Sequence, residues 1–148
     1  MPSQLRPHGT LAMQAASAIR QLKARYCQCV DGKRWDELRG LFTPDAVTQT
    51  GARGQWRDRD AFIDKVALLF ATATTRHSVE YRAITLQLPA GARGVWTMQD
   101  RLCFVDHTAP GGLRYWQGSG LYHEDYVQVD GRWLIRSMRL ERTDMPAS

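Results

Sequence analysis

The hydrophobic period of this chain changes once, near His77, and that change limits the folds open to it. Before it, apolar residues recur at helical steps. Leu11, Ala15, Ala18, Ile19, Leu22, Tyr26 and Cys29 follow three- and four-residue spacings, which predicts a first helix over 11–30. Gly32 stands where a helix commonly ends on glycine. Trp35, Leu38, Leu41 and Phe42 share a face and predict a short second helix that Pro44 stops. Residues 46–50 read as a short strand and GARG, 51–54, as a turn. A third helix opens near Asp58 or Asp60, both good N-cap types, and carries Phe62, Val66, Leu69 and Phe70. From His77 onward the period is that of strands. Pro89-Ala90-Gly91, Pro110-Gly111-Gly112 and Asp130-Gly131 divide the rest into segments 77–88, 95–107, 113–129 and 132–142. Consecutive strands joined by short turns make an antiparallel meander. Helices first and strands later imply an α+β fold. The expected form is a curved antiparallel sheet wrapped around the N-terminal helices, with a central pocket between them.

At 148 residues the chain suits one domain over 1–148, with 1–10 read as a flexible tail. No apolar run approaches the roughly 20 residues needed to span a bilayer. The polar N-terminus lacks an apolar signal core, so the expected home is the cytoplasm, with no membrane partner. The net charge is +5, but the arginines are scattered. The densest groups, Arg53, Arg57 and Arg59, then Arg132, Arg136, Arg139 and Arg142, form no unbroken basic run with stacking aromatics. They read as a solvated surface or a handle for an anionic substrate such as a carrier thioester, and no nucleic-acid partner is expected. Three cysteines argue against a disulfide framework. Cys27 and Cys29 lie about 200° apart on a helix and cannot share a metal. Cys29 falls on the apolar face, Cys27 points away, and no metal site or cofactor is expected.

Four polar residues interrupt apolar faces. Tyr26 sits on the buried stripe of the first helix, where its hydroxyl needs a partner. Asp31 closes that helix, where the dipole disfavours an acid. It either pairs with Lys33 or Arg34 or turns inward. Tyr26 and Asp31 are about 140° apart on an ideal helix and converge only if the last turn unwinds at Gly32. On the strand 95–107 one face reads Trp96, Met98, Asp100, Leu102, Phe104, an apolar row with one carboxylate. Such an acid is paired, with Arg82 or Arg114 within reach of the pattern, or protonated, or functional. His77 opens the preceding strand, and a carboxylate beside it would orient it for acid–base work. A tyrosine, a histidine and two aspartates around one apolar pocket can remove a proton next to a carbonyl. They can also hold the resulting oxyanion and expel a hydroxyl. Trp56, Phe70, Met98, Leu102 and Tyr115 are the expected apolar, substrate-binding wall. The bland alternatives are a ligand-binding or subunit-like module, with His77 and Asp31 apart, and a structural domain with no cavity.

The stretches RYCQCVDGKRWDELRGLFTPDAV, RHSVEYRAI and GLYHEDYVQVDGRWLIRSMRL resemble the opening, the central histidine strand and the last two strands of SnoaL-like proteins. The resemblance runs from about residue 15 to 143. It implies the cone-shaped α+β superfamily of ketosteroid isomerase, scytalone dehydratase and nuclear transport factor two. Scytalone dehydratase and the bile-acid dehydratases place a Tyr and an Asp near the end of the first helix and a His at the start of the first long strand. The bile-acid enzymes add an Asp on the next strand. Tyr26, Asp31, His77 and Asp100 match those positions. The resemblance thus implies a cofactor-independent dehydratase or isomerase acting on a hydrophobic, ring-containing carbonyl compound. In it His77 is the base, Asp31 or Asp100 its orienting acid, and Tyr26 the donor to the carbonyl. It also implies a homodimer or homotrimer through the outer face of the sheet, to which Trp116 and Trp133 are the expected contributors.

Overall fold

The N-terminal apolar stripe forms α1, Pro7–Asp31, in a computed structural model that describes residues 7–50, 54–87, 90–105 and 110–144. The helix starts four residues before its apolar spacing does, because proline is well suited to the first helical position. The expected tail over 1–10 is shortened accordingly, and 1–6 lie outside the described residues. At its other end the helix keeps its form through Gly32, whose N–H still reaches the Gln28 carbonyl at 2.9 Å. Lys33, not Gly32, takes the left-handed conformation, at φ 56°. Its N–H bonds to the Val30 carbonyl and the Arg34 N–H to the Cys29 carbonyl, a Schellman ending displaced by one residue. Unwinding at Gly32 does not occur.

The second helix, α2, is only Trp35–Arg39 and stops at Gly40. Leu41 follows it, and Phe42 opens β1, Phe42–Thr50, which therefore includes Pro44. The proline is tolerated because the pairing of β1 with its neighbour is interrupted between Phe42 and Val47. A two-residue β2, Gln55–Trp56, follows; 51–53 of the expected turn lie outside the described residues. Asp58 caps α3, Arg59–Leu69, accepting from the Asp60 and Ala61 N–H groups at 2.7 and 3.4 Å.

The strand-period half forms β3, Ala73–Gln87, β4, Gly91–Val105, β5, Leu113–Val129, and β6, Arg132–Asp144. Residues 88–89 and 106–109 of the intervening turns lie outside the described residues. Asp130 and Gly131 both have positive φ, 50° and 78°, as the tight hairpin between β5 and β6 requires. The sheet order is β2-β1-β6-β5-β4-β3, antiparallel except for the parallel pair of β1 with β6. The sheet curves without closing, and the class is α+β. Ile19, Leu22, Tyr26 and Val30 of α1 share one core with Trp96, Met98, Leu102, Tyr122 and Tyr126 of the sheet. No helix among the described residues is long and apolar enough to cross a membrane.

Three expectations change at this level. Trp116 and Trp133 are partly buried against the core and do not form an outer contact face. Trp116 pairs with Leu102 and takes that residue's inward parity. Cys27 is buried as well as Cys29, because α1 is covered on more than one side. Cys29 faces α2, with Sγ 3.5 Å from Glu37 Oε2. Burial pushes the Cys27 thiol up to about 11, so it stays protonated near neutrality.

The core also contains an ion pair. Lys23 Nζ donates to Glu124 Oε2 at 2.6 Å, with both side chains fully buried. Glu124 Oε1 accepts from the Tyr126 hydroxyl at 2.5 Å, which in turn accepts from Trp96 Nε1 at 2.8 Å. Truncating Lys23 alone leaves a buried carboxylate without its cation. Lys23→Met is expected to lose about 3–5 kcal/mol of stability in urea unfolding. Lys23→Met combined with Glu124→Gln, which keeps an acceptor for Tyr126, is expected to recover most of that loss. Equal losses in the two variants would contradict this account.

Candidate active site

On β3 and β4, His77 stands opposite Asp100. Strand alternation turns both side chains to the concave face, with Thr75 and Leu102 as the next inward pair. Asp31, at the end of α1, meets β3 there. It accepts from Thr75 Oγ1 at 2.8 Å and from the His77 backbone N–H at 2.8 Å, and lies 2.7 Å from His77 Nδ1. Burial alone would push this carboxyl up. The bonds from the His77 ring, the His77 N–H and Thr75 outweigh it and hold Asp31 below its ordinary value. Neither Lys33 nor Arg34 is its partner.

With Nδ1–H donated to Asp31, Nε2 carries the lone pair of the neutral ring. Its nearest carboxylate oxygen, Asp100 Oδ2, is 4.0 Å away, beyond hydrogen-bond reach. Asp100 is occupied elsewhere: Arg142 Nη1 and Nη2 donate to its two oxygens at 2.9 and 2.8 Å. The expected partners Arg82 and Arg114 do not make this pair. Burial lowers Arg142, but the twin bonds to Asp100 outweigh it and hold the guanidinium above its ordinary value. Arg142 reaches β4 from β6 by crossing β5, where Gly118 stands opposite Asp100 and Gly120 opposite Arg142. No side chain blocks the path. A Cβ on Gly120 would come within 2.5 Å of the Glu141 carbonyl oxygen, so this position accepts glycine alone without displacing β6.

A cavity of about 750 Å³ opens beside these groups. Tyr26, His77, Asp100 and Arg142 are part of its polar lining, with Tyr122, Lys65, Arg139 and Glu141 among the others. Of the expected wall, Trp56, Phe70 and Leu102 face it, along with Val30, Phe62 and Leu140. Asp31 stands behind His77, 2.7 Å from its Nδ1, and does not line the cavity. Met98 is not in the wall: two residues along β4 from Asp100, it is fully buried in the core. Tyr115 is not in it either. It pairs with Cys103 on the opposite parity and is 74% exposed. Trp116 takes the inward place instead.

Sequence reasoning placed Arg142 only among the scattered arginines, not as the partner of Asp100, and missed Tyr122 and the Lys23–Glu124 pair, although the signals were present. Arg142 continues the inward row Met138, Leu140. Glu124 sits between Tyr122 and Tyr126 on an inward row of β5, and Lys23 interrupts the helical series Ile19, Tyr26, Val30. Tyr122 lines the cavity next to Tyr26, ring centroids 5.9 Å apart at 77°. Burial holds both phenols well above their ordinary value, so both are protonated.

The profile of the SnoaL-like domain matches residues 12–139. The probable cyclase FGR4 of Gibberella zeae is 24% identical over 140 residues, covering 87% of this chain and 91% of that one. A solved scytalone dehydratase candidate from Novosphingobium aromaticivorans superposes with a TM-score of 0.79 at 18% identity, over 93% of this chain and 91% of that chain. The hexachlorocyclohexane dehydrochlorinase LinA-type3 of Novosphingobium barchaimii gives 0.78 at 15% identity, over 91% and 90%. At these identities the two structures establish a shared fold.

Asp31 has a depressed folded-state value, so its stabilisation is complete above the ordinary aspartate value of 3.8 and is lost as pH falls through the lower folded value. The stability gap between the wild-type protein and Asp31→Asn is expected to be widest near neutrality and to close on acidification below about pH 4. Urea unfolding across that range checks this; a gap independent of pH would refute it. Arg142→Met, which leaves the buried Asp100 unpaired, is expected to cost about 3 kcal/mol in the same assay at neutral pH.

Proposed function

Since the chain belongs to the SnoaL-like family, we propose that it is a cofactor-independent lyase or isomerase working by general acid–base chemistry on a hydrophobic, ring-containing carbonyl compound. The observation that carries the proposal is the Asp31–His77 contact of 2.7 Å, which leaves the second ring nitrogen for a cavity that Tyr26 and Asp100 also line. A binding-only module has no need of that pairing. A purely structural domain has no need of a 750 Å³ cavity.

In the proposed reaction Nε2 of His77 removes a proton α, or vinylogous, to the substrate carbonyl. The electron pair of the broken C–H bond moves into an enolate, and Tyr26 donates a hydrogen bond to its oxygen. Asp31 stabilises the imidazolium at 2.7 Å, and Asp100 faces its other nitrogen from 4.0 Å. Arg142 compensates the Asp100 charge with a bond to each of its oxygens. In a dehydration the imidazolium returns the proton to a β-hydroxyl. The C–O bond breaks, the enolate electrons form the C=C bond, and water leaves. In an isomerisation the same proton returns to a different carbon. Both routes need only the groups present. The cavity volume suits a compound of a few fused rings, and its Trp56, Phe62, Phe70 and Leu102 wall suits an apolar one.

The test is a panel of cyclic β-hydroxy ketones and unsaturated ketones, followed for loss of water and for exchange of the α-hydrogen in deuterium oxide. On an active member, His77→Ala is expected to lower kcat/KM by about a thousandfold and Asp31→Asn by about a hundredfold. Full turnover by either variant would refute the mechanism.

A further inference from the structure

The buried Lys23–Glu124 pair is not used by the chemistry above, yet it touches the cavity's two phenols. Lys23 lies one helical turn before Tyr26 on α1. Its Nζ is 4.0 Å from the Tyr26 ring centroid and 3.4 Å from that of Tyr122. Both rings line the cavity on their far sides, while Lys23 has no exposure at all. As a stabilising device the pair is a poor choice, because withdrawing both charges from water offsets most of their attraction. An apolar pair of similar volume would serve the core at least as well.

What an apolar pair cannot do is present a positive charge to the faces of two aromatic rings. A cation there draws on the ring's negative face. In a low dielectric it also favours negative charge at the phenol oxygen or on a group bonded to it. The counter-charge is itself engaged: Glu124 binds Lys23 with one oxygen, and its other oxygen accepts from Tyr126, itself bonded by Trp96. The ring of Tyr122 stands edge-on to that of Tyr26, centroids 5.9 Å apart, so the one ammonium packs against both cavity phenols.

We propose that Lys23 is a positioning residue of this site: its ammonium, packed against the rings of Tyr26 and Tyr122, fixes both phenols and strengthens Tyr26 as a donor to an oxyanion. The inference rests on the reading that Tyr26 bonds the substrate's carbonyl oxygen. It also explains why a lysine stands on the most deeply buried stripe of α1.

The probe is 2-naphthol, whose absorption spectrum separates the bound naphtholate from the bound neutral form, with naphthalene as the comparison lacking a hydroxyl. The full chain is used at one fixed pH. Lys23→Met/Glu124→Gln removes the charge without orphaning a carboxylate. It is expected to bind naphthalene as the wild-type protein does but to hold about tenfold less naphtholate relative to naphthol. Lys23→Gln/Glu124→Gln, which retains a hydrogen bond between the two positions, reads the same way if the first variant does not fold. Tyr26→Phe is expected to lose more of the naphtholate preference than either. If Tyr26→Phe leaves the ionised fraction unchanged, the reading of Tyr26 itself fails. If Tyr26→Phe lowers the fraction and the double variants do not, only the role of Lys23 is overturned. An equal fall in naphthalene and naphtholate binding in the double variants would make Lys23 merely structural and would overturn it too.

Discussion

The bond network of Asp31 joins the two halves of this protein. One carboxylate accepts from Thr75 Oγ1, the His77 N–H and the His77 ring. It thereby ties the end of α1 to β3 and sets which nitrogen of His77 faces the cavity. The placement has a cost, since an acid at a helix C-terminus opposes the dipole. Three donors from the neighbouring strand offset that, and the carboxyl is held below its ordinary value despite partial burial. The structural anchor and the orienting group of the proposed base are the same atoms.

The second carboxylate of the site is managed differently. Asp100 is buried in an apolar row and receives a two-pronged guanidinium from a strand two places away. The reach is possible because β5 presents Gly118 and Gly120 where side chains would otherwise stand. Asp100 is thus held by Arg142 with one oxygen 4.0 Å from His77. Behind Tyr26 the third carboxylate, Glu124, holds a lysine against the aromatic rings. Asp31, Asp100 and Glu124 each have a dedicated cation or histidine, as low-dielectric surroundings require.

Much of this was legible. The change of period at His77, the three turn signals and the N-cap at Asp58 gave the element order, because alternation and capping are local properties. Polar residues on apolar faces pointed to Tyr26, His77 and Asp100 because burial makes such residues rare. The errors have separate physical causes. Tyr115 and Trp116 differ by one residue, and a one-residue ambiguity in parity exchanges the inner and outer faces of a strand. Gly32 marked the helix end, but Lys33 took the left-handed conformation, since a tertiary contact of its Nζ with the Ala71 carbonyl anchors it there. Cys27 seemed to face outward because a helical wheel does not show what packs on each side.

By itself, the sequence determined the order of helices and strands and the presence of ionisable groups in apolar rows, since both follow from spacing along the chain. Only the tertiary structure decided who pairs with whom. Asp31 with His77, Asp100 with Arg142 and Lys23 with Glu124 are separated by 46, 42 and 101 residues. Those pairings depend on the register and curvature of the sheet and on where α1 crosses it. Spacing along one strand or helix carries no record of the distance between two elements, and that distance is what turns four polar residues into a site.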